Sequence, residues 1–104
     1  MMVAPIFKKL PITEDQLAEF CRKHHICRMS VFGSVLRDDF RPESDVDFLV
    51  EFEPDFHPGW EFVEICDELE RLVGRAVDVV NPNYLKQRLK KNVLESAQLV
   101  YSIA

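Results

Sequence analysis

Three aspartates carry the spacing of a metal site. Asp45 and Asp47 stand two apart in Ser44-Asp45-Val46-Asp47, at the head of the apolar run Phe48-Leu49-Val50. Asp78 sits inside Ala76-Val77-Asp78-Val79-Val80. Asp is depleted in strands, and a buried carboxylate without a partner is strongly unfavourable or gives up its charge. On a strand, residues two apart leave the same face, so Asp45 and Asp47 project together while Val46, Phe48, Val50 and Phe52 take the core side. Asp78 has the same alternation, with Val77 and Val79 opposite it. If these two strands are neighbours, three carboxylates converge on one patch. Such hard oxygen ligands suit Mg²⁺, which keeps waters and also binds substrate phosphates. Two ions about 4 Å apart can bridge a triphosphate and an attacking oxygen. Asp78 can help deprotonate an acceptor hydroxyl.

Gly33 and Ser34 close another apolar run, and ten residues separate Ser34 from Asp45. Glycine lets the backbone approach a phosphate closely. A short helical turn over Val35 to Asp39 would aim free N–H groups at the anion, with the Ser34 hydroxyl adding a hydrogen bond. Arg37, about one turn on, can meet a phosphate oxygen through a charge-assisted contact. Each fragment alone has a plainer reading. Ser44-Asp45 is a turn before a strand, Gly33-Ser34 a strand end, Asp78 a sheet-edge residue facing water, and Arg37 a solvated loop charge. The combination is more specific than its parts. His24, His25 and His57 have no ligand spacing and read as surface or packing residues. Trp60 reads as a cover for a helix edge.

Alternating elements must position these residues. Thr13 and Gln16 form a capping box, with Ile12 and Leu17 as a staple, so a helix starts at Thr13. Ile26 to Phe32 is the first strand and Asp45 to Phe52 the second. Pro54 to Gly59 is a loop. Trp60 to Val73 is a helix with Phe62, Ile65, Cys66, Leu69, Leu72 and Val73 on one face, closed by Gly74. Ala76 to Val80 is the third strand. Pro82 favours a helix start, and Leu85, Leu89 and Val93 mark one face of a last helix. Leu99-Val100-Tyr101 is either a closing strand or an extension of that helix. The fold class is α/β (α+β), a small mixed sheet of three to four strands flanked by helices.

The 104 residues make one domain, 1–104, with residues 1–11 a loosely held arm. Hydrophobic residues are 47% and charged residues 30%, as in a soluble globular protein. No apolar run approaches the roughly 20 residues of a membrane span, and no signal peptide is evident. Cys21, Cys27 and Cys66 lack metal spacing and read as buried free thiols of a cytoplasmic protein. The net charge of −5 argues against direct nucleic-acid binding, but metal ions can offset the charge of a nucleotide. Acidic Glu61, Glu64, Asp67, Glu68 and Glu70 contrast with basic Lys86, Arg88, Lys90 and Lys91, a polarity suited to a protein partner.

Gly-Ser, a ten-residue spacer and Asp-x-Asp resemble the signature of the polymerase-beta-like nucleotidyltransferases, and within them the minimal nucleotidyltransferases, or MNT domains. The resemblance covers roughly Thr13 to Tyr101. It includes Ser44 to Phe52, Val73-Gly74-Arg75-Ala76-Val77-Asp78-Val79-Val80 and the closing Asn92 to Tyr101. It implies the polymerase-beta-like fold and transfer of AMP from ATP to a tyrosine of a HEPN-domain ribonuclease toxin, which the chain silences as its antitoxin. It also implies that Gly33 and Ser34 hold the triphosphate, that Asp45 and Asp47 bind Mg²⁺, and that Asp78 completes the triad. The family often carries Arg-Gly where this chain has Arg37-Asp38, so Asp38 adds negative charge near the phosphates. An antitoxin that inhibits by binding alone is the alternative function, favoured by Asp38 and disfavoured by the three retained aspartates. A small-molecule nucleotidyltransferase is a third, and normally needs a further helical domain for its acceptor.

Overall fold

The computed structural model describes residues 10–33, 45–82 and 86–103, except the side chains of 89, 90, 92 and 94. The elements are α1 (Glu14–Lys23), β1 (Ile26–Phe32), β2 (Val46–Phe52), α2 (Glu61–Val73), β3 (Val77–Val80), α3 (Gln87–Ser96) and β4 (Gln98–Ser102). The strands form one sheet in the order β3-β2-β1-β4. β2 and β3 run parallel while β1 is antiparallel to both β2 and β4, so the sheet is mixed as expected.

Local chemistry explains the boundaries. The Thr13 hydroxyl accepts from the Gln16 N–H at 3.1 Å, and the Gln16 side chain accepts from the Thr13 N–H at 2.9 Å. Two donors at the helix start are thereby satisfied reciprocally. α1 buries Leu17, Phe20 and Cys21 at helical spacing. The chain then turns through His25 at φ 58, in the left-handed region that L residues enter at a cost. The His25 ring stacks on Phe56 at 4.6 Å, its Nδ1 lies 3.1 Å from Glu53 Oε2, and its carbonyl accepts from the Glu53 N–H. These contacts join the α1–β1 turn to the far end of β2.

The parallel β2–β3 pair needs a long crossover, which α2 supplies. α2 ends at Gly74, φ 74 and ψ 19, whose N–H donates to the Glu70 carbonyl. Its buried face, Ile65, Leu69 and Val73, joins Leu17, Phe20 and Cys21 of α1, Met29 and Val31 of β1, and Val46, Phe48 and Val50 of β2 in one core. Each such side chain contributes about 1.5–3 kcal/mol by leaving water.

Three expectations change. Leu10, assigned to a loose arm, is buried in the core beside Ile12. Trp60 covers nothing: it is 91% exposed, because it precedes the first turn of α2 with its side chain in solvent. Cys27 and Cys66 are only half-buried, and Cys21 alone is a buried thiol. Pro82 stands in a 3₁₀ turn and α3 begins at Gln87, with Lys86 as its N-cap; Leu85 lies outside the described residues. Residues 98–102 are a strand, which settles the alternative left open at the C-terminus. The expected turn over 35–39 lies outside the described residues. Among the described residues no helix is long and apolar enough to cross a membrane.

Candidate active site

The parallel register of β2 and β3 sets Asp47 directly opposite Asp78, between Val46↔Val77 and Phe48↔Val79. Adjacent strands lie about 4.8 Å apart and paired residues point the same way, so both carboxylates share the sheet face opposite the core. The Val46 N–H donates to the Ala76 carbonyl at 3.1 Å and fixes the mouth of the two strands. Asp47 is half-buried, while Asp45 and Asp78 are exposed.

The other flank of Asp47 is the end of β1, where Phe32 is its antiparallel partner. Gly33 follows at φ 80. A Cβ at this glycine would collide with Asp47 Oδ2 and lie 3.3 Å from Asp47 Cγ. The glycine thus makes room for the carboxylate as well as for the turn, a reason invisible in the sequence.

Like charges directly opposite on neighbouring strands are destabilising, and a cation between them relieves the repulsion. Asp47 and Asp78 together offer hard oxygen donors to one point. Mg²⁺ takes one or two protein carboxylates and completes its shell with waters and phosphates, so this pair fits it. Among the described residues, as their side chains stand, no group of three or more His, Cys, Asp or Glu is close enough to hold a metal. Asp45 lies at the mouth, one residue before β2, and is not drawn into such a group. Ser34, Arg37 and Asp38 lie outside the described residues.

The surroundings of Asp78 are acidic. Burial pushes the Cys66 thiol up, and the charges of Asp67, Glu70 and Asp78 push it further the same way. Cys66 is therefore a poor nucleophile despite its nearness. The Glu70 carboxylate accepts from the Val77 N–H at 3.4 Å, which ties α2 to the strand bearing Asp78. A cavity of about 530 Å³ is lined by apolar Phe52, Phe56, Phe62 and Val79. It begins beside Val79, next to Asp78 in β3 but on the opposite face, and reaches Phe52, five residues or about 17 Å along β2 from Asp47.

Asp47 thus lies between Asp78 of β3 on one side and the glycine-ended β1 on the other. The chain belongs to the nucleotidyltransferase domain family, whose model matches residues 14–100. It is 36% identical over 83 residues to the protein adenylyltransferase MntA of Thermococcus cleftensis, covering 80% of this chain and 81% of the relative. A proposed minimal nucleotidyltransferase of known structure is 36% identical with a TM-score of 0.69, over 81% of this chain and 85% of the other. A chain in the complex of tri-AMPylated Shewanella oneidensis HEPN toxin with MNT antitoxin has a TM-score of 0.63 over 86% of this chain and 69% of that one. At 19% identity this last likeness is one of fold.

Proposed function

We propose that the chain works as a single cytoplasmic nucleotidyltransferase domain that transfers AMP from ATP to a tyrosine of a HEPN-domain toxin and so neutralises it. The observation that carries the reading is the register of Asp47 against Asp78, with Gly33 packed on the Asp47 carboxylate. The relatives named protein adenylyltransferases supply the reaction class. The MNT antitoxin found with an AMPylated HEPN toxin supplies the partner class.

In this reading Asp47 and Asp78 would hold Mg²⁺, with Asp45 turning in from the mouth of β2 as a third ligand, while Gly33, Ser34 and Arg37 would hold the triphosphate. Mg²⁺ when bound neutralises charge on the phosphates and on the transferred phosphorus. The tyrosine oxygen attacks the α-phosphorus and a new P–O bond forms. The bond to the β-phosphate oxygen breaks, and pyrophosphate leaves with that electron pair. Asp78, the more exposed carboxylate of the pair, receives the tyrosine proton on its open side. Asp47, packed against Gly33, stays fixed as ligand. The acceptor comes from a second protein, and the contrast between the acidic α2 and the exposed Lys86, Arg88 and Lys91 suits such a partner.

The test is incubation with the HEPN partner, Mg²⁺ and labelled ATP. Label should pass to the toxin with the native chain and not with the Asp45→Ala, Asp47→Ala double variant. If that variant still neutralises the toxin and no label is transferred by either protein, inhibition is by contact alone.

A further inference from the structure

The sheet face that carries Asp47 continues away from the site in rows set by the register. Phe32, Asp47 and Asp78 form the first row, Ser30, Leu49 and Val80 the second, and Arg28 with Glu51 the third. Leu99 on β4 pairs with Ser30 and extends the second row. Over the second and third rows lies a cavity of about 370 Å³, lined among the described residues by Arg28, Ser30, Leu49, Glu51, Pro82 and Leu99. At about 3.3 Å per residue its near edge is some 7 Å from Asp47 and its far edge about 13 Å. A ribose and a base extending from a phosphate at the first row cover that distance.

The lining has the chemistry of a flat heterocycle. Leu49, Pro82 and Leu99 are apolar, and Leu49 and Ser30 form a buried floor. Polar groups sit at the end away from the carboxylates. Arg28 Nε and Glu51 Oε2 are 3.8 Å apart, beyond hydrogen-bond length, and both side chains are well exposed, so both heads can turn to a ligand. We infer that this cavity is the nucleoside subsite, with Glu51 accepting from the amino group of adenine and Arg28 donating to a ring nitrogen. The inference rests on the nucleotide reading above.

An acceptor tyrosine fits less well here. Its only polar atom must lie at the first row, so the rest of its ring would leave Ser30, Arg28 and Glu51 without partners. Guanine has a carbonyl where adenine has its amino group, and would meet the Glu51 carboxylate acceptor to acceptor. A site built on a hydrogen bond rejects the analogue that cannot make it.

The experiment is calorimetric titration of the full chain in Mg²⁺ with ATP, GTP and inorganic tripolyphosphate. The native chain should bind ATP at least about tenfold tighter than tripolyphosphate or GTP, the scale of one charge-assisted hydrogen bond. Glu51→Gln should lose most of the preference for ATP over GTP, and Leu99→Trp should weaken ATP by a similar factor by filling the cavity. Both should keep native tripolyphosphate affinity, which also shows that they fold. Native ATP affinity and preference in both variants would overturn the subsite while leaving the phosphate site standing. Equal loss of tripolyphosphate would overturn it as well, as a structural effect. A native chain that binds neither ATP nor tripolyphosphate would remove the nucleotide reading itself, and this inference with it.

Discussion

Gly33→Ala should damage stability and catalysis together, and Gly74→Ala stability alone. Both glycines sit at similar positive φ, 80 and 74. A left-handed conformation costs an L residue roughly 1–2 kcal/mol, offset by up to about 1 kcal/mol from stiffening the unfolded chain. At Gly74 a new Cβ meets Pro11 Cγ at 3.5 Å, an ordinary contact, so only the backbone term applies. The expected loss is about 1 kcal/mol, or roughly 4–8 °C in Tm for a domain of this size. At Gly33 the Cβ also collides with the Asp47 carboxylate. Overpacking of that kind adds about 1–3 kcal/mol, or else Asp47 swings away and loses its register with Asp78. The expected result is a Tm drop at least twice that of Gly74→Ala, with AMP transfer reduced by about 10² or more, the scale for displacing a catalytic group. Melting curves by circular dichroism and initial rates on the HEPN partner read both. If Gly33→Ala matches Gly74→Ala in Tm and keeps native turnover, the packing of Gly33 on Asp47 has no functional meaning.

Asp78→Asn should cut turnover by about 10² or more, the usual range for a lost general base, while nucleotide affinity changes less; native turnover would make Asp78 a surface residue of its strand. Glu68 accepts from Lys23 at 2.9 Å and lies 3.3 Å from His24, and these partners, Lys23 foremost, hold its carboxyl below the ordinary 4.5. Its contribution is therefore present above pH 4.5 and lost as pH falls through the lower folded value, so Glu68→Gln should lower the Tm at pH 7 and not at pH 3. Burial pushes the Cys21 thiol up to about 12. At pH 8 a thiol-specific reagent should modify Cys27 first and Cys66 more slowly in the folded chain, and reach Cys21 only on unfolding, which peptide mapping would show.

Local signals were legible because one or two side chains create them. Thr13 and Gln16 mark the start of α1, Gly74 its counterpart at the end of α2, and the alternation from Val46 to Phe52 a strand with one wholly apolar face. The i, i+2 spacing also predicted that Asp45 and Asp47 would share a face. What the spacing could not give was the strand order. That Asp47 pairs with Asp78 follows from the parallel register of β2 and β3, which packing of α2 against both determines. Gly33 shows the same limit: its reason lies in Asp47, fourteen positions away in sequence and adjacent in space. His25 carries no sequence signal for its positive φ, since stacking on Phe56 and the Glu53 contact maintain it. Leu10 falls within the expected arm, and no local signal marks it as a core residue, yet the core takes its side chain. Arg28 and Glu51 carry no sequence signal for a shared position, since only the antiparallel register sets them side by side on the face that bears Asp47.

The central claim is that Asp47, held between Gly33 and Asp78, builds a metal-dependent nucleotide site. Its most direct test is calorimetric titration of ATP in Mg²⁺ and in EDTA, for the native chain and for Asp47→Asn, which keeps the shape and removes the charge. ATP should bind the native chain in Mg²⁺ and lose at least about tenfold in affinity in EDTA, a difference that Asp47→Asn should abolish without changing the melting curve by more than a few degrees. Equal affinity of the native chain in Mg²⁺ and in EDTA would contradict the claim.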